Sequence, residues 1–134
     1  MFELNLKTHK KTEFIEITDS LQELVQKSMV KEGHLFVYTQ HTTAAILSNE
    51  NANGGAIWKD IGEALEKIAP QEKEYHHDDG NAHSHIKGAL IGNSKTFFIH
   101  QGQIVLGTWE GIYLAEFDGP RQNRRILVKI TESQ

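Results

Sequence analysis

A ten-residue stretch, HHDDGNAHSH at residues 76–85, holds four of the eight histidines in this 134-residue chain. Neutral imidazole is the commonest protein ligand for zinc, and a catalytic zinc site takes three protein ligands and leaves a fourth position open. His76, His83 and His85 lie close enough in sequence to converge on one ion, and His41 joins them if its strand ends beside this stretch. The spacing matches no standard zinc signature such as H-E-x-x-H. The pattern favours a metal site, and the alternative is an exposed loop that is merely rich in histidine.

Two acids and one arginine are candidates to support chemistry at such a site. Glu50 follows a predicted strand, and Asp60 borders the apolar face of a predicted helix. A metal-bound histidine usually donates its second ring N–H to a carboxylate, so either acid suits that role, and a purely structural role is the alternative. Arg121 directly follows the turn sequence DGP, which would hold its guanidinium in place for phosphate recognition. A solvated strand end is the alternative for Arg121.

The composition is typical of a globular protein with one domain, residues 1–134, because hydrophobic residues make up 38% and charged residues 24% of the chain. No apolar run approaches the ~18–20 residues of a membrane helix, and the first residues lack a signal-peptide pattern. We therefore expect a cytoplasmic protein with no membrane partner. The net charge of −4 argues against a nucleic-acid partner. Because cysteine is absent, nitrogen and oxygen atoms must hold any metal.

The first two thirds of the chain alternate between strand-like and helix-like patterns. Strands are predicted at FELNLKT, TEFIEIT, HLFVYTQH and AAILSNE, which places His41 at a strand end. Helices are predicted at DSLQELVQKSMVKEG and at GGAIWKDIGEALEKIAP. Ser20 and Glu23 have the spacing of a capping box in the first helix, and Gly33 is expected to end it. Residues 71–85 contain few apolar groups and several turn formers, which predicts a loop.

The last third of the chain, from IKGALIG onward, consists of short β-like segments. KTFFIH, QIVLGTW, GIYLAEFD and RRILVKI follow one another with glycine or asparagine between them, which predicts an antiparallel meander. The whole chain is therefore predicted to be α+β, with roughly seven to nine strands and two main helices.

Several of these segments in order resemble the YjbQ family over nearly the whole chain. They are HTTAAILSNEN, DIGEALEKIAP, YHHDDGNAHSHIKGALIG, GQIVLGTWEGIYLAEFDGPR and RRILVKI. The resemblance implies an α+β domain with a β-sandwich of mostly antiparallel strands, assembled as a homotrimer. It also implies a pocket of clustered histidines with a metal, and a secondary thiamine-phosphate synthase activity. That reaction joins hydroxymethylpyrimidine pyrophosphate to thiazole phosphate and releases pyrophosphate.

The resemblance also assigns roles to individual residues. His41, His76 and His85 match the family histidines and are the expected metal ligands, while His77 and His83 leave open which rings of the loop bind. The remaining matches are the asparagine of G-N-A and two recurrent acids, which are Asn81, Glu50 and Asp60.

The implied mechanism requires charge stabilisation more than a nucleophile from the protein. A divalent metal and Arg121 would stabilise the departing pyrophosphate, and Asn81 would orient phosphate oxygens of a small phosphorylated substrate. Three histidines favour a zinc-like metal, whereas a pyrophosphate substrate favours Mg²⁺. Two alternatives stay open on the residues alone. One is a metal-dependent hydrolase of a small phosphorylated or acyl compound, and the other is a non-catalytic small-ligand or metal-binding protein.

Overall fold

Two antiparallel sheets and three helices make up the fold of the computed structural model, which describes residues 1–134. The strands are β1 (Phe2–Leu6), β2 (Glu13–Glu16), β3 (Glu32–Tyr38), β4 (Ala44–Glu50), β5 (Ser94–His100), β6 (Gln103–Ile104), β7 (Glu110–Glu116) and β8 (Arg124–Glu132). The helices are α1 (Thr18–Ser28), α2 (Ala56–Ile68) and α3 (Ala82–Ile91), with a 3₁₀ turn at Asn53–Gly55. One sheet has the order β1-β8-β3-β5-β6 and the other β2-β7-β4. The predicted α+β class is confirmed.

One face of the five-stranded sheet packs on the core, and buried and exposed side chains alternate along its strands. In β3, Leu35 and Val37 are buried, whereas Phe36 and Tyr38 are exposed on the opposite face. This period of two is what a strand with one covered face requires. The buried side chains of this sheet pack against those of the three-stranded sheet in a single cluster.

Strand β7 is buried on both faces, because it is the middle strand of the three-stranded sheet. Ile112 and Leu114 point into the core between the sheets. Tyr113 and Ala115 point the other way, into a second core that helix α2 closes with Trp58. The continuous apolar run GIYLAEF therefore predicts the strand correctly, although it shows no alternation.

Helix α1 differs from its prediction at both ends. It begins at Thr18 after an N-cap residue, Ile17, that makes no side-chain capping bond, so Ser20 and Glu23 do not form a capping box. It ends at Ser28, before the C-cap residue Met29, whose φ of 62° lies in the left-handed region, and not at Gly33, which belongs to strand β3.

Helix α3 is the largest departure from the predicted structure. Residues 82–91 were expected to be the end of a loop followed by a strand, and they form a helix. Gly88 allows this helix to approach the neighbouring chain segment closely, because a Cβ there would come within 2.8 Å of the carbonyl oxygen of Thr42. The helix can therefore lie directly against the start of strand β4.

The late strands do not form the predicted meander. Strands β5, β6 and β8 belong to the five-stranded sheet, but β7 crosses to the other sheet, between β2 and β4. No helix of the protein combines the length and apolar character needed to cross a membrane.

Candidate functional site

A buried histidine at the start of helix α3 is the most unusual polar group in the structure. His83 is 2% exposed, and neither Nδ1 nor Nε2 has a hydrogen-bond partner. His83 is one of the residues that line a cavity of about 310 Å³ between the loop 71–80 and the first turn of the helix. Leaving a buried donor or acceptor unpaired costs about 1–3 kcal/mol, so an unpaired group of this kind calls for an explanation.

The surroundings of His83 keep its imidazole neutral. Burial lowers the pKa of His83 below its ordinary value, and the positive charges of Lys87 and Lys11 lower it further. Glu66 and Asp118 oppose this shift without cancelling it. A neutral imidazole offers one N–H donor and one nitrogen acceptor, and in His83 both are buried and unpaired.

Asn81, the residue before helix α3, shares the unusual environment. Its Nδ2 donates to Asp118 Oδ2 over 2.8 Å, whereas its buried Oδ1 has no partner. Arg121 also donates to Asp118 Oδ2, over 2.8 Å, and to the Asp118 carbonyl oxygen. Burial raises the pKa of Asp118, but hydrogen bonds from Lys11 and Asn81 outweigh burial and bring this pKa to about 2. Asp118 is therefore ionised and holds Asn81 and Arg121 in place.

A buried ion pair joins the end of strand β7, just before Asp118, to the start of strand β8. Arg124 Nε donates to Glu116 Oε1 over 2.8 Å, and both side chains are almost fully buried. Thr8 donates a further hydrogen bond to the same carboxylate oxygen. Burial raises the pKa of Glu116, but hydrogen bonds from Arg124 and Thr8 outweigh it and leave the pKa lowered.

A second, smaller cavity of about 280 Å³ contains two more of the predicted histidines. His41 and His85 both line it, and the His85 ring lies 4.9 Å from the ring of His77 on the loop. The Nε2 atom of His41 accepts a hydrogen bond from the backbone N–H of Arg125 over 3.0 Å. Burial lowers the pKa of His41, and so do the charges of Arg124 and Arg125.

The predicted metal site is wrong for this chain. No three histidine or acidic side chains lie close enough together to hold an ion. Of the three expected ligands, His41 and His85 share a cavity but His76 lies exposed on the loop. In addition, the nearby arginine charges act against a cation at His41. The residues present do not fit the expected zinc-like ion or Mg²⁺, and the histidine-rich stretch is not one imidazole cluster.

The two acids predicted to support the histidines lie elsewhere. Glu50 ends strand β4, where its Oε1 accepts a hydrogen bond from Asn53. Asp60 is exposed on helix α2. Their predicted contact with a metal-bound histidine is therefore not formed in this chain, whereas Asn81 and Arg121 do come together through Asp118.

The burial of His83 and Lys87 does not follow from the sequence pattern, because helix α3 is predicted there as loop and strand. The buried face of this helix carries polar and small side chains, so no apolar stripe marks it. Only the spacing of four between His83 and Lys87, and between Ser84 and Gly88, signals that these residues share one face.

The fold and this site define an α+β domain of two packed antiparallel sheets, with a polar cavity at the start of a short helix. A family model described as UPF0047 protein YjbQ-like matches residues 2–133, and the chain belongs to this family. A UPF0047 protein of Archaeoglobus fulgidus is 45% identical over 129 residues, covering 95% of this chain and 98% of the relative. YugU, a UPF0047 protein of Bacillus subtilis, is 39% identical over 119 residues, covering 88% and 89%.

Solved structures of the family share the fold. A YjbQ/UPF0047 protein of Clostridium acetobutylicum superposes with a TM-score of 0.94 at 44% identity, covering 98% of this chain and all of that chain. A YbjQ-like protein of unknown function from Sulfolobus solfataricus superposes with a TM-score of 0.93 at 33% identity, covering 98% and 96%.

These relatives correct the predicted activity. They carry family names or are described as uncharacterised, and none of them is described as a thiamine-phosphate synthase. The predicted mechanism also depended on a histidine-bound metal, and this chain does not form the ligand set. The thiamine-phosphate synthase prediction is therefore wrong, and the metal-dependent hydrolase alternative fails for the same structural reason.

Proposed function

We propose that the protein binds a small phosphorylated compound at the His83 cavity, through neutral hydrogen-bonding groups and without a bound metal. The observation that carries this proposal is the buried His83 ring with two unpartnered nitrogens. A ligand that hydrogen-bonds to both nitrogens would remove the energetic cost of leaving them unpaired.

The electrostatic setting supports an anionic ligand. The charges of Lys87 and Lys11 lower the pKa of His83, although each lysine is itself paired with a carboxylate, Lys87 with Glu66 and Lys11 with Asp118. The cavity also opens at the first turn of α3, where backbone N–H groups and the helix dipole favour negative charge. Lys73 lines the same cavity, together with the acids Glu74 and Asp78. The start of helix α3 and Lys73 are the features that favour a phosphate group.

Asn81 and Arg121 are proposed to orient the ligand and are not assigned a chemical step. The unpaired Oδ1 of Asn81 is an acceptor for a hydroxyl or a protonated phosphate oxygen. Arg121 donates to the same Asp118 oxygen as Asn81, so it helps to fix the carboxylate that holds the amide.

The test is a titration of chelator-treated protein with inorganic phosphate, followed through the imidazole ¹⁵N signals in NMR spectra. We expect a saturable shift of the His83 signals and a weaker response from exposed His76. In the His83→Leu variant we expect affinity to fall about ten- to hundred-fold, as the loss of one or two hydrogen bonds to a charged group predicts. Unchanged His83 signals at saturating phosphate would overturn the proposal.

We also propose that three copies of the chain associate. An aromatic patch on the exposed face of the five-stranded sheet supports self-association, because the His34 ring lies 5.7 Å from Phe98 and 6.2 Å from Phe36. Phe98 is 66% exposed in the single chain. Light scattering should give about three times the 15.2 kDa chain mass, and Phe98→Lys should lower it, whereas Met29→Lys at a helix end should not. A monomer at all concentrations would contradict the trimer.

A further inference from the structure

A groove of about 760 Å³ lies between strand β2 and helix α2. Three aromatic side chains form its wall. The ring of Trp58 lies 5.1 Å from that of Phe14 and 4.0 Å from that of Tyr113. Small-molecule sites commonly have about 300–1,000 Å³ of volume and an aromatic lining, so the groove has the size and the wall of such a site.

The charges around the groove select the kind of ligand. Lys87 is buried and pairs with Glu66 over 2.6 Å, which leaves these two charges balanced. The remaining charged side chains are two lysines and three glutamates, namely Lys10, Lys59, Glu13, Glu16 and Glu63. An excess of carboxylates beside aromatic rings favours a cation, because both carboxylates and ring faces attract it.

We propose that this groove binds a small compound with a flat aromatic ring and an ammonium group. The ring would pack on the aromatic wall, and the ammonium group would lie among the glutamates at the rim. This site is separate from the His83 cavity, has a different ligand chemistry and does not depend on phosphate binding.

Gly62 supports the proposal, because it keeps the groove open. It lies in the interior of helix α2, where glycine costs about 1 kcal/mol relative to alanine. A Cβ at this position would lie 3.6 Å from the Phe14 ring, which is ordinary van der Waals contact. Packing therefore does not require glycine here. The missing side chain leaves space along the groove.

Tryptamine, an aromatic amine, is a suitable probe, with indole-3-propionate as its anionic counterpart. The Trp58 indole N–H donates to the Glu50 carbonyl oxygen over 2.9 Å and reports on the groove, whereas exposed Trp109 serves as an internal control. We expect tryptamine to shift the Trp58 signal in NMR spectra saturably, and indole-3-propionate to bind at least about ten-fold more weakly, as about 1.4 kcal/mol of charge preference predicts. Equal shifts at both tryptophans, or none at Trp58, would overturn the proposal.

Two matched variants test the position of the site. Gly62→Leu places a side chain in the groove and should abolish the Trp58 response, whereas Ala64→Leu on the exposed part of the same helix should retain it. If Gly62→Leu fails to fold, Glu63→Lys gives an independent test, because reversing this rim charge should lower tryptamine binding and raise indole-3-propionate binding. An unchanged preference in folded Glu63→Lys, or an unchanged tryptamine response in Gly62→Leu, would contradict the assignment.

Discussion

Replacing His83 with leucine should stabilise the ligand-free protein while it removes phosphate binding. The imidazole is buried, and both of its nitrogens lack partners, so folding removes them from water without compensation. Each unpaired group costs about 1–3 kcal/mol, and part of the gain from removing them is lost because leucine has a different shape. We therefore expect the free energy of unfolding to rise by about 1–3 kcal/mol in His83→Leu.

Urea unfolding followed by circular dichroism measures this change, and a rise of 1 kcal/mol corresponds to about 3–6 °C in melting temperature for a chain of this size. His76→Leu is the control, because that ring is exposed on the neighbouring loop and its replacement should leave the unfolding free energy unchanged. If His83→Leu is destabilised by 1 kcal/mol or more, the ring nitrogens are already satisfied in solution, and the reasoning from unpaired groups fails.

Three further predictions concern pH, the buried ion pair and the packing of helix α3 against the start of strand β4. The pKa of His83 is lowered on folding from about 6.5, so the folded protein binds fewer protons than the unfolded chain below that pH. The free energy of unfolding should therefore be highest above pH 6.5 and decrease as the pH falls through the lower folded pKa. Unfolding at pH 7.5 and 5.5 should show this decrease, and His83→Leu should reduce it. Glu116→Gln leaves the buried Arg124 charge uncompensated and should cost about 3–5 kcal/mol in urea unfolding, and a cost below 1 kcal/mol would contradict the importance of the pair. Gly88→Val places a Cβ about 2.8 Å from the Thr42 carbonyl oxygen and should cost about 1–3 kcal/mol by the same measurement, whereas an unchanged midpoint would show that the helix can move.

Most strands and two of the three helices follow from the sequence, because their apolar residues repeat with the period of the element. Leu35 and Val37 in strand β3 and the stripe that buries Leu21 and Val25 in helix α1 are examples. The division of the late strands between two sheets does not follow from local pattern, since strand pairing is set by contacts distant in sequence.

The candidate site is less predictable than the fold, because the buried face of helix α3 is polar and carries no apolar stripe. The histidine-rich stretch contains the buried His83, but its composition does not show which rings are buried. The resemblance favours His76 over His83 as a ligand, but His76 is exposed and His83 is buried. The pairing of Asn81 and Arg121 on Asp118 also depends on long-range contacts between a helix start and a strand end.

The most direct test of metal-free binding at His83 is calorimetric titration of inorganic phosphate into protein dialysed against a chelator. The account predicts saturable binding that is the same with or without added zinc and is lost or strongly weakened in His83→Leu. Binding that occurs only after zinc is added, or that is unchanged in His83→Leu, would contradict it.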